Sequence, residues 1–406
     1  MAEYKYEEVP GGGVASASGF KASGVAAGVK YIGKKDVAVV YSVCDAVAAG
    51  VFTTNTVKSS SVLLDMERVK SGKTRAVVVN SGNANTCNGP RGMDDALAMA
   101  AETARLLGVP EESVLVASTG VIGQPMPMDR VLPGIKEAVA ALSENGGRDA
   151  AEAIMTTDTE VKECAVRFEL EGRTVTVGGM AKGSGMIHPN MATMLCFITT
   201  DAAVDHDFLK ECVVYAADRS FNMVTVDGDS STNDSMLVLA NGKAGNSEIK
   251  AGSIGSDMFR DALTQVCIKL AKSMARDGEG ATKLIEVRVI NALTERDARL
   301  AARSVAASTL FKAAVFGRDA NWGRIMCAAG YSGARFNPDA VDIFIGEVQV
   351  ARDGHGLPFD EDAAAGVLAG DTVNVLIDMR EGEHEAVAWG CDLTYDYVRI
   401  NGDYRT

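Results

Sequence analysis

The chain has 406 residues, 47% of them hydrophobic and 23% charged, with 54 acidic against 40 basic side chains for a formal net charge of −14. That length is too great for one ordinary core, so two or three compact units are expected, with ample apolar content to bury them. The acidic balance argues against a nucleic acid or an anionic membrane as partner, so an anionic ligand needs a local counter-charge.

No run approaches the roughly 20 apolar residues that span a bilayer. The start, Met1-Ala2-Glu3-Tyr4-Lys5-Tyr6-Glu7-Glu8, lacks the charged and apolar regions of a signal peptide, so a cytoplasmic protein is expected. The eight cysteines are scattered with no C-x-x-C pair, which argues against a zinc cage or a disulfide framework and predicts reduced, mostly buried thiols.

In chain order, Gly11-Gly12-Gly13 and the Ala/Gly/Ser stretch to Gly28 read either as low complexity or as close backbone approach near a site. Ala76-Val77-Val78-Val79-Asn80 reads as a strand, followed by Met93, Leu97, Ala100, Ala104 and Leu107 at helical spacing, closed by Gly108. The run Val114-Leu115-Val116 leads into Ser118-Thr119-Gly120, a turn whose glycine can expose backbone N–H groups. Helices are expected over 129–142, from Asp149 with Glu152 in a capping box, over 207–217, and over 258–275 with Leu263, Val266, Cys267 and Leu270 on one face. Between them the apolar run 194–199 reads as a buried strand after a Gly-rich turn, with Thr193 at its start. After Gly278-Glu279-Gly280, the residues Leu284, Val287 and Val289 open a more β-rich part in which 341–350, 372–379 and 386–400 read as strands. The expected organisation is α/β, with a main catalytic domain over 1–285 and a smaller β-rich C-terminal domain over 286–406.

Three signals are set aside. Asp227-Gly228-Asp229 with Asn233 and Asp234 resembles a calcium loop, but the twelfth position is Val238 where a glutamate is required. The four histidines, 188, 206, 355 and 384, are too dispersed for a metal centre or a Ser-His-Asp constellation. No phosphate-binding glycine motif is present, so no nucleotide cofactor is indicated.

The segment GGMAKGSGMIHPNMATMLCFITTD, residues 178–201, resembles the processing segment of the ornithine acetyltransferase family, the glutamate N-acetyltransferases of arginine biosynthesis. The runs NSGNANTCNG (80–89), ASTGVIG (117–123), IMTTDT (154–159), VDGDSSTNDS (226–235), ARDGEGATK (275–283), FGRDANWGRI (316–325) and the end RINGDYRT resemble segments of that family in the same order. Coverage is essentially the whole chain.

The resemblance implies a layered α/β fold shared with a group of aminopeptidases. It implies that Thr193 is a nucleophile which first cuts the Ala192-Thr193 peptide by attack on the Ala192 carbonyl. A threonine hydroxyl is feeble at neutral pH, and its own α-amine, freed by the cut and titrating near neutrality, supplies the base. Fragments 1–192 and 193–406 would remain together, paired into a heterotetramer. Thr119 and Gly120 match the oxyanion-stabilising pair. Lys182 matches a substrate-binding lysine suited to an α-carboxylate, and flanking Gly178, Gly179, Gly183 and Gly185 suit close approach by a ligand. Thr156 matches a substrate contact, with Thr157 leaving the register open by one. Glu279, facing the ornithine amine, Asn401 and the terminal Thr406 complete the implied set. Read without the resemblance, Thr193 is the first residue of a strand, Thr156 a helix C-terminal cap, Lys182 and Glu279 solvated charges, and Thr406 a frayed end.

The implied reaction moves acetyl from N2-acetyl-L-ornithine to L-glutamate in a ping-pong route through acetyl-threonine. It needs no metal and no cofactor, and it leaves open whether acetyl-CoA is a second donor. The alternatives are a self-processing N-terminal-nucleophile aminopeptidase or amidase, which passes the acyl group to water, and a non-catalytic amino-acid sensor.

Overall fold

The computed structural model describes residues 4–188 and 194–403. The chain forms two compact units. The first comprises Met1–Gly183, Asn190–Ser220 and Ser230–Leu270, and the second Ser184–Pro189, Phe221–Asp229 and Ala271–Thr406. A single cut at 286 does not describe this division: the second unit already begins at 271, on the last turns of a helix, and it takes in two short earlier segments.

In the first unit the strands are β1 (Glu7–Glu8), β2 (Phe20–Val25), β3 (Val37–Phe52), β4 (Thr74–Asn83), β5 (Val114–Val121), β6 (Lys162–Leu170), β7 (Arg173–Lys182), β8 (Leu195–Thr200) and β9 (Ser235–Ala240). Among the described residues they form one sheet in the order β1-β6-β7-β8-β9-β3-β4-β5, with β2 on β3. The sixteen-residue β3 makes this possible. Its first part pairs with β4 up to Tyr41, the register breaks before Ala46, and Val47 to Phe52 pair with β9. A strand that changes partners at such an irregularity bends, carrying the sheet into a second layer.

Alternation then sorts the side chains. Ala38, Val40, Val77 and Val79 face a core shared with Met180, Leu195, Phe197, Leu237 and Leu239 from β7 to β9 and with Ala150 to Ile154. Val37, Val39, Ala76 and Val78 face a second core completed by helices. Buried on both faces, these strands read as unbroken apolar runs. The helices are α1 (Ser60–Arg68), α2 (Gly89–Leu107), α3 (Met128–Ala140), α4 (Gly147–Ala153), α5 (His206–Arg219) and α6 (Ser256–Arg276). Helices α2 and α3 cover one outer face, and Leu270 of α6 packs on Gly179 of the other.

Several expected details differ. The buried face of α2 is Gly92, Asp95, Ala96, Met99, Ala100, Thr103 and Ala104, while Leu97 is 37% exposed; mostly small residues let the helix lie close to the sheet. Asp149 and Glu152 form no capping box, because Gly146 is the N-cap. Both carboxylates instead bind the Lys35 ammonium, at 2.5 and 2.8 Å. The glycines at 12 and 13 serve packing: a Cβ on Gly12 would lie 2.7 Å from that of Ala165, and one on Gly178 would lie 2.3 Å from the Gly13 carbonyl oxygen. Gly178 is therefore required by a neighbouring backbone oxygen, and Gly179 is tightly enclosed, since a Cβ there would stand 3.0 Å from Ile198 and 3.2 Å from Leu270.

The second unit's sheet is β10 (Leu284–Ala292), β11 (Asp342–Ile345), β12 (Val348–Arg352), β13 (His355–Gly356), β14 (Thr372–Asp378) and β15 (His384–Cys391), in the order β13-β12-β11-β14-β10-β15. It is accompanied by α7 (Glu295–Ala307), α8 (Thr309–Phe316), α9 (Trp322–Gly330), α10 (Glu361–Leu368) and α11 (Tyr395–Gly402). The strand expected to run to residue 400 ends at Cys391. Thr394 takes the extended N-cap conformation and Asp396 sits in the first turn, which starts α11 instead.

Among the described residues no helix is long and apolar enough to cross a membrane. All eight cysteines are free thiols; Cys196, Cys212, Cys267 and Cys391 are buried, and Cys87 and Cys327 are exposed.

Candidate active site

Thr193, Ala192 and Thr406 lie outside the described residues. The chain just after Thr193 is well held. Leu195 stands in register with Lys182 on β7 and with Ser235 on β9, and the Ser235 N–H donates to the Met194 carbonyl at 3.0 Å.

At the end of β7 the Lys182 ammonium is buried and donates to the Thr156 hydroxyl at 2.7 Å. Asp158 organises this group. Its Oδ1 accepts from Lys162 Nζ at 2.8 Å and from the Gly183 N–H at 2.7 Å, and its Oδ2 accepts from the Thr156 N–H at 3.0 Å and lies 3.8 Å from Lys182 Nζ. Burial pushes the Asp158 carboxyl up, but the charges of Lys182 and Lys162 and the bonds to Lys162 and Gly183 outweigh it and hold the group well below the usual carboxylate range. Lys34 adds a cation, donating to the Thr156 carbonyl at 2.8 Å. Sequence reasoning singled out Thr156 and Lys182 but passed over Asp158 and Lys162. An acid four residues before a lysine was the available signal.

Thr119 and Gly120 close β5. Gly120 has φ of +135°, and a Cβ there would stand 2.3 Å from the Gly82 carbonyl carbon and 2.5 Å from the Asn83 nitrogen. The parallel pairing of β4 and β5 breaks register between Gly82 and Asn83. Two glycines thus let the strand ends meet backbone to backbone. This is a local distortion of the kind that turns N–H groups out of a ladder.

In the second unit, Glu279 is buried and its Oε2 accepts from Asn401 Nδ2 at 2.8 Å. The Glu279 N–H donates to the Ser184 carbonyl at 2.8 Å. Gly185 faces the same carboxylate, since a Cβ on it would come within 2.5 Å of the Glu279 oxygens. Just after Gly185, the N–H groups of Met186 and Ile187 donate to Asp227, at 2.6 and 2.9 Å. Burial, followed by the Asp227 charge and hydrogen bond, pushes the Tyr397 phenol up. Tyr397 was not singled out from sequence, and Asp227 was read there only as part of a calcium-like loop that was set aside. The structure therefore brings together Lys182 with Thr156, and Glu279 with Asn401.

The family model for the ArgJ family matches residues 21–406. The chain belongs to the ArgJ family. An arginine biosynthesis bifunctional protein ArgJ from Symbiobacterium thermophilum is 60% identical over 397 residues, spanning 97% of this chain and 99% of that protein. A second, from Caldanaerobacter subterraneus subsp. tengcongensis, is 54% identical over 403 residues, spanning 98% of this chain and all of that protein. The crystal structure of an arginine biosynthesis bifunctional protein ArgJ from Bacillus halodurans aligns with a TM-score of 0.50 and 44% identity, over 51% of this chain and 97% of that one. The layered α/β architecture is thus that of an ArgJ protein.

Proposed function

We propose that the protein is a self-processing acetyltransferase of arginine biosynthesis that moves acetyl from N2-acetyl-L-ornithine to L-glutamate. Thr193, freed as an N-terminus by cleavage after Ala192, attacks the acetyl carbonyl while its amine takes the proton. N–H groups or the hydroxyl at Thr119 and Gly120 steady the oxyanion. Ornithine leaves, glutamate enters and takes the acetyl. The pair of fragments assembles further into a heterotetramer, works in the cytoplasm, and needs no metal or nucleotide cofactor.

The observation that carries the substrate assignment is the buried cluster around Asp158. There the buried Lys182 ammonium lies beside the Thr156 hydroxyl and the Asp158 carboxylate, inside a chain whose net charge is −14. Both substrates present an α-amino-acid carboxylate, and a buried ammonium is a strong counter-charge for it. Family membership supplies the pathway.

The test is a steady-state assay in which N-acetylornithine and acetyl-CoA are offered separately as donors to glutamate. Transfer from N-acetylornithine is expected. Acetyl release to water without glutamate would mark an amidase and overturn the reading, and transfer from acetyl-CoA as well would make the enzyme bifunctional in its donors.

Glu279→Gln is expected to raise KM for N-acetylornithine more than for glutamate, because only ornithine carries a side-chain amine to face a carboxylate. Equal losses for both substrates would remove that role. Gly185→Ala is expected to act in the same direction. The methyl group collides with the movable end of Glu279, so it displaces the carboxylate and leaves Tm close to the parent; an unchanged KM would show that the carboxylate's position is immaterial.

A further inference from the structure

We propose that Asn233 is the positioning residue of the oxyanion-binding turn, an inference that rests on the acetyl-transfer reading above. Asn233 is buried, and every polar atom of its amide is engaged. Nδ2 donates to the Ala84 carbonyl at 2.6 Å and to the Ser118 carbonyl at 2.7 Å. Oδ1 accepts from the hydroxyls of Thr86 at 2.8 Å and Thr232 at 2.6 Å. The amide orientation is forced, because turning it over would set its oxygen against two carbonyl oxygens.

The Ser118 carbonyl matters most. It belongs to the same peptide unit as the Thr119 N–H, so a donor fixed on it sets the plane in which that N–H points. It also polarises the N–H, since hydrogen bonds along one amide strengthen each other. The Ala84 carbonyl belongs to the partner strand's extension, whose own N–H donates to the Val121 carbonyl at 3.0 Å. One side chain therefore pins both strand ends at the place where Gly82 and Gly120 break the ladder. On its other side Asn233 is two residues from Ser235, whose N–H holds the Met194 carbonyl, and Met194 directly follows Thr193. A single amide thus ties the turn that would receive negative charge to the strand that neighbours the nucleophile's own. The carboxamide, read in the sequence as part of a failed calcium loop, acts by holding a distance.

The experiment compares Asn233→Ala and Asn233→Ser with the parent, measuring kcat and KM for both substrates per Thr193 N-terminus, counted by intact-mass spectrometry, together with Tm. A parent that transfers no acetyl overturns the functional reading first, before any variant is judged. With a competent parent, Asn233→Ala is expected to lose on the order of a hundredfold in kcat, the scale of a misplaced positioning group or a lost oxyanion donor, with KM little changed. Asn233→Ser leaves nearly the same cavity but returns one hydroxyl donor toward the two carbonyls, and is expected to recover about tenfold of that loss. If serine and alanine fall equally, if KM moves while kcat stays, or if neither variant gives a folded, cleaved protein, Asn233 serves packing or folding and the proposal fails.

Discussion

Thr193→Ala is expected to migrate as one full-length band on a denaturing gel and to transfer no acetyl above background. Both losses follow from one hydroxyl. Without it the Ala192 carbonyl meets no internal nucleophile, the chain stays intact, and the amine that would serve as base remains locked in a peptide bond. In an enzyme whose covalent intermediate forms on one side chain, removal of that group costs on the order of a millionfold in kcat. Thr193→Ser keeps a hydroxyl and is expected to cleave, more slowly.

The cut form should remain associated without a covalent link. The break would fall just before β8, which stays hydrogen-bonded to β7 of the N-terminal fragment and to β9 of its own. All six residues of β8 are buried, and Leu195 and Phe197 share a core with Met180 across the cut. Burial on this scale, at about 25 cal/mol per Å² of apolar surface, outweighs the modest gain in chain freedom from one broken bond. Parental protein is therefore expected to run as two bands when denatured and as one species on native size exclusion. A Thr193→Ala protein that still appears as two fragments would remove Thr193 from both roles.

The parts of the fold that could be read from sequence are those where one local pattern decides. The run at 76–80 announces a strand buried on both faces because it has no polar alternation to lose. Gly108 announces the end of α2, since a left-handed residue is needed there. Elsewhere the deciding partner is distant. Residues 395–400 carry Tyr, Tyr, Val and Ile at spacings that suit a strand or a helix, and a strand there would need a free edge of the sheet. Instead the Gly280 carbonyl takes the Thr394 hydroxyl bond at 2.7 Å and the chain turns into α11.

Gly178 and Gly179 looked like room for a ligand, yet their space is filled by the Gly13 carbonyl and by Leu270. Glycine signals close approach without saying by what. In the candidate site, Thr156, Lys182, Glu279 and Asn401 came from family resemblance. No residue-by-residue reading would have raised them above solvated polar groups. Lys182 and Glu279 are buried, which neither residue announces by itself, and Asp158 stands between two lysines because the β6–β7 hairpin sets Lys162 opposite Ala181, next to Lys182.

Asp158→Asn is therefore the most informative change outside the nucleophile, and it is expected to lower stability at neutral pH by about 3–5 kcal/mol, the usual consequence of removing one partner of a buried ion pair. The substituted amide would keep one acceptor oxygen for the N–H groups of Thr156 or Gly183, but the ammonium groups of Lys162 and Lys182 would face a neutral group in a buried setting. The pH dependence separates this loss from simple misfit. In the folded parent the carboxyl is held well below its ordinary value, so its contribution is fully present above the unfolded value of about 3.9 and is lost as pH falls toward the folded one. Urea melts from pH 7 to pH 3 should then show the parent losing stability toward acid more steeply than the variant, with the two curves converging. The same variant should lose acetyl transfer even where it remains folded, because Lys182 and Thr156 are both fixed through Asp158. Curves that stay parallel across that range would mean the carboxylate's charge contributes nothing to the fold, and the buried lysine cluster would have to be explained without it.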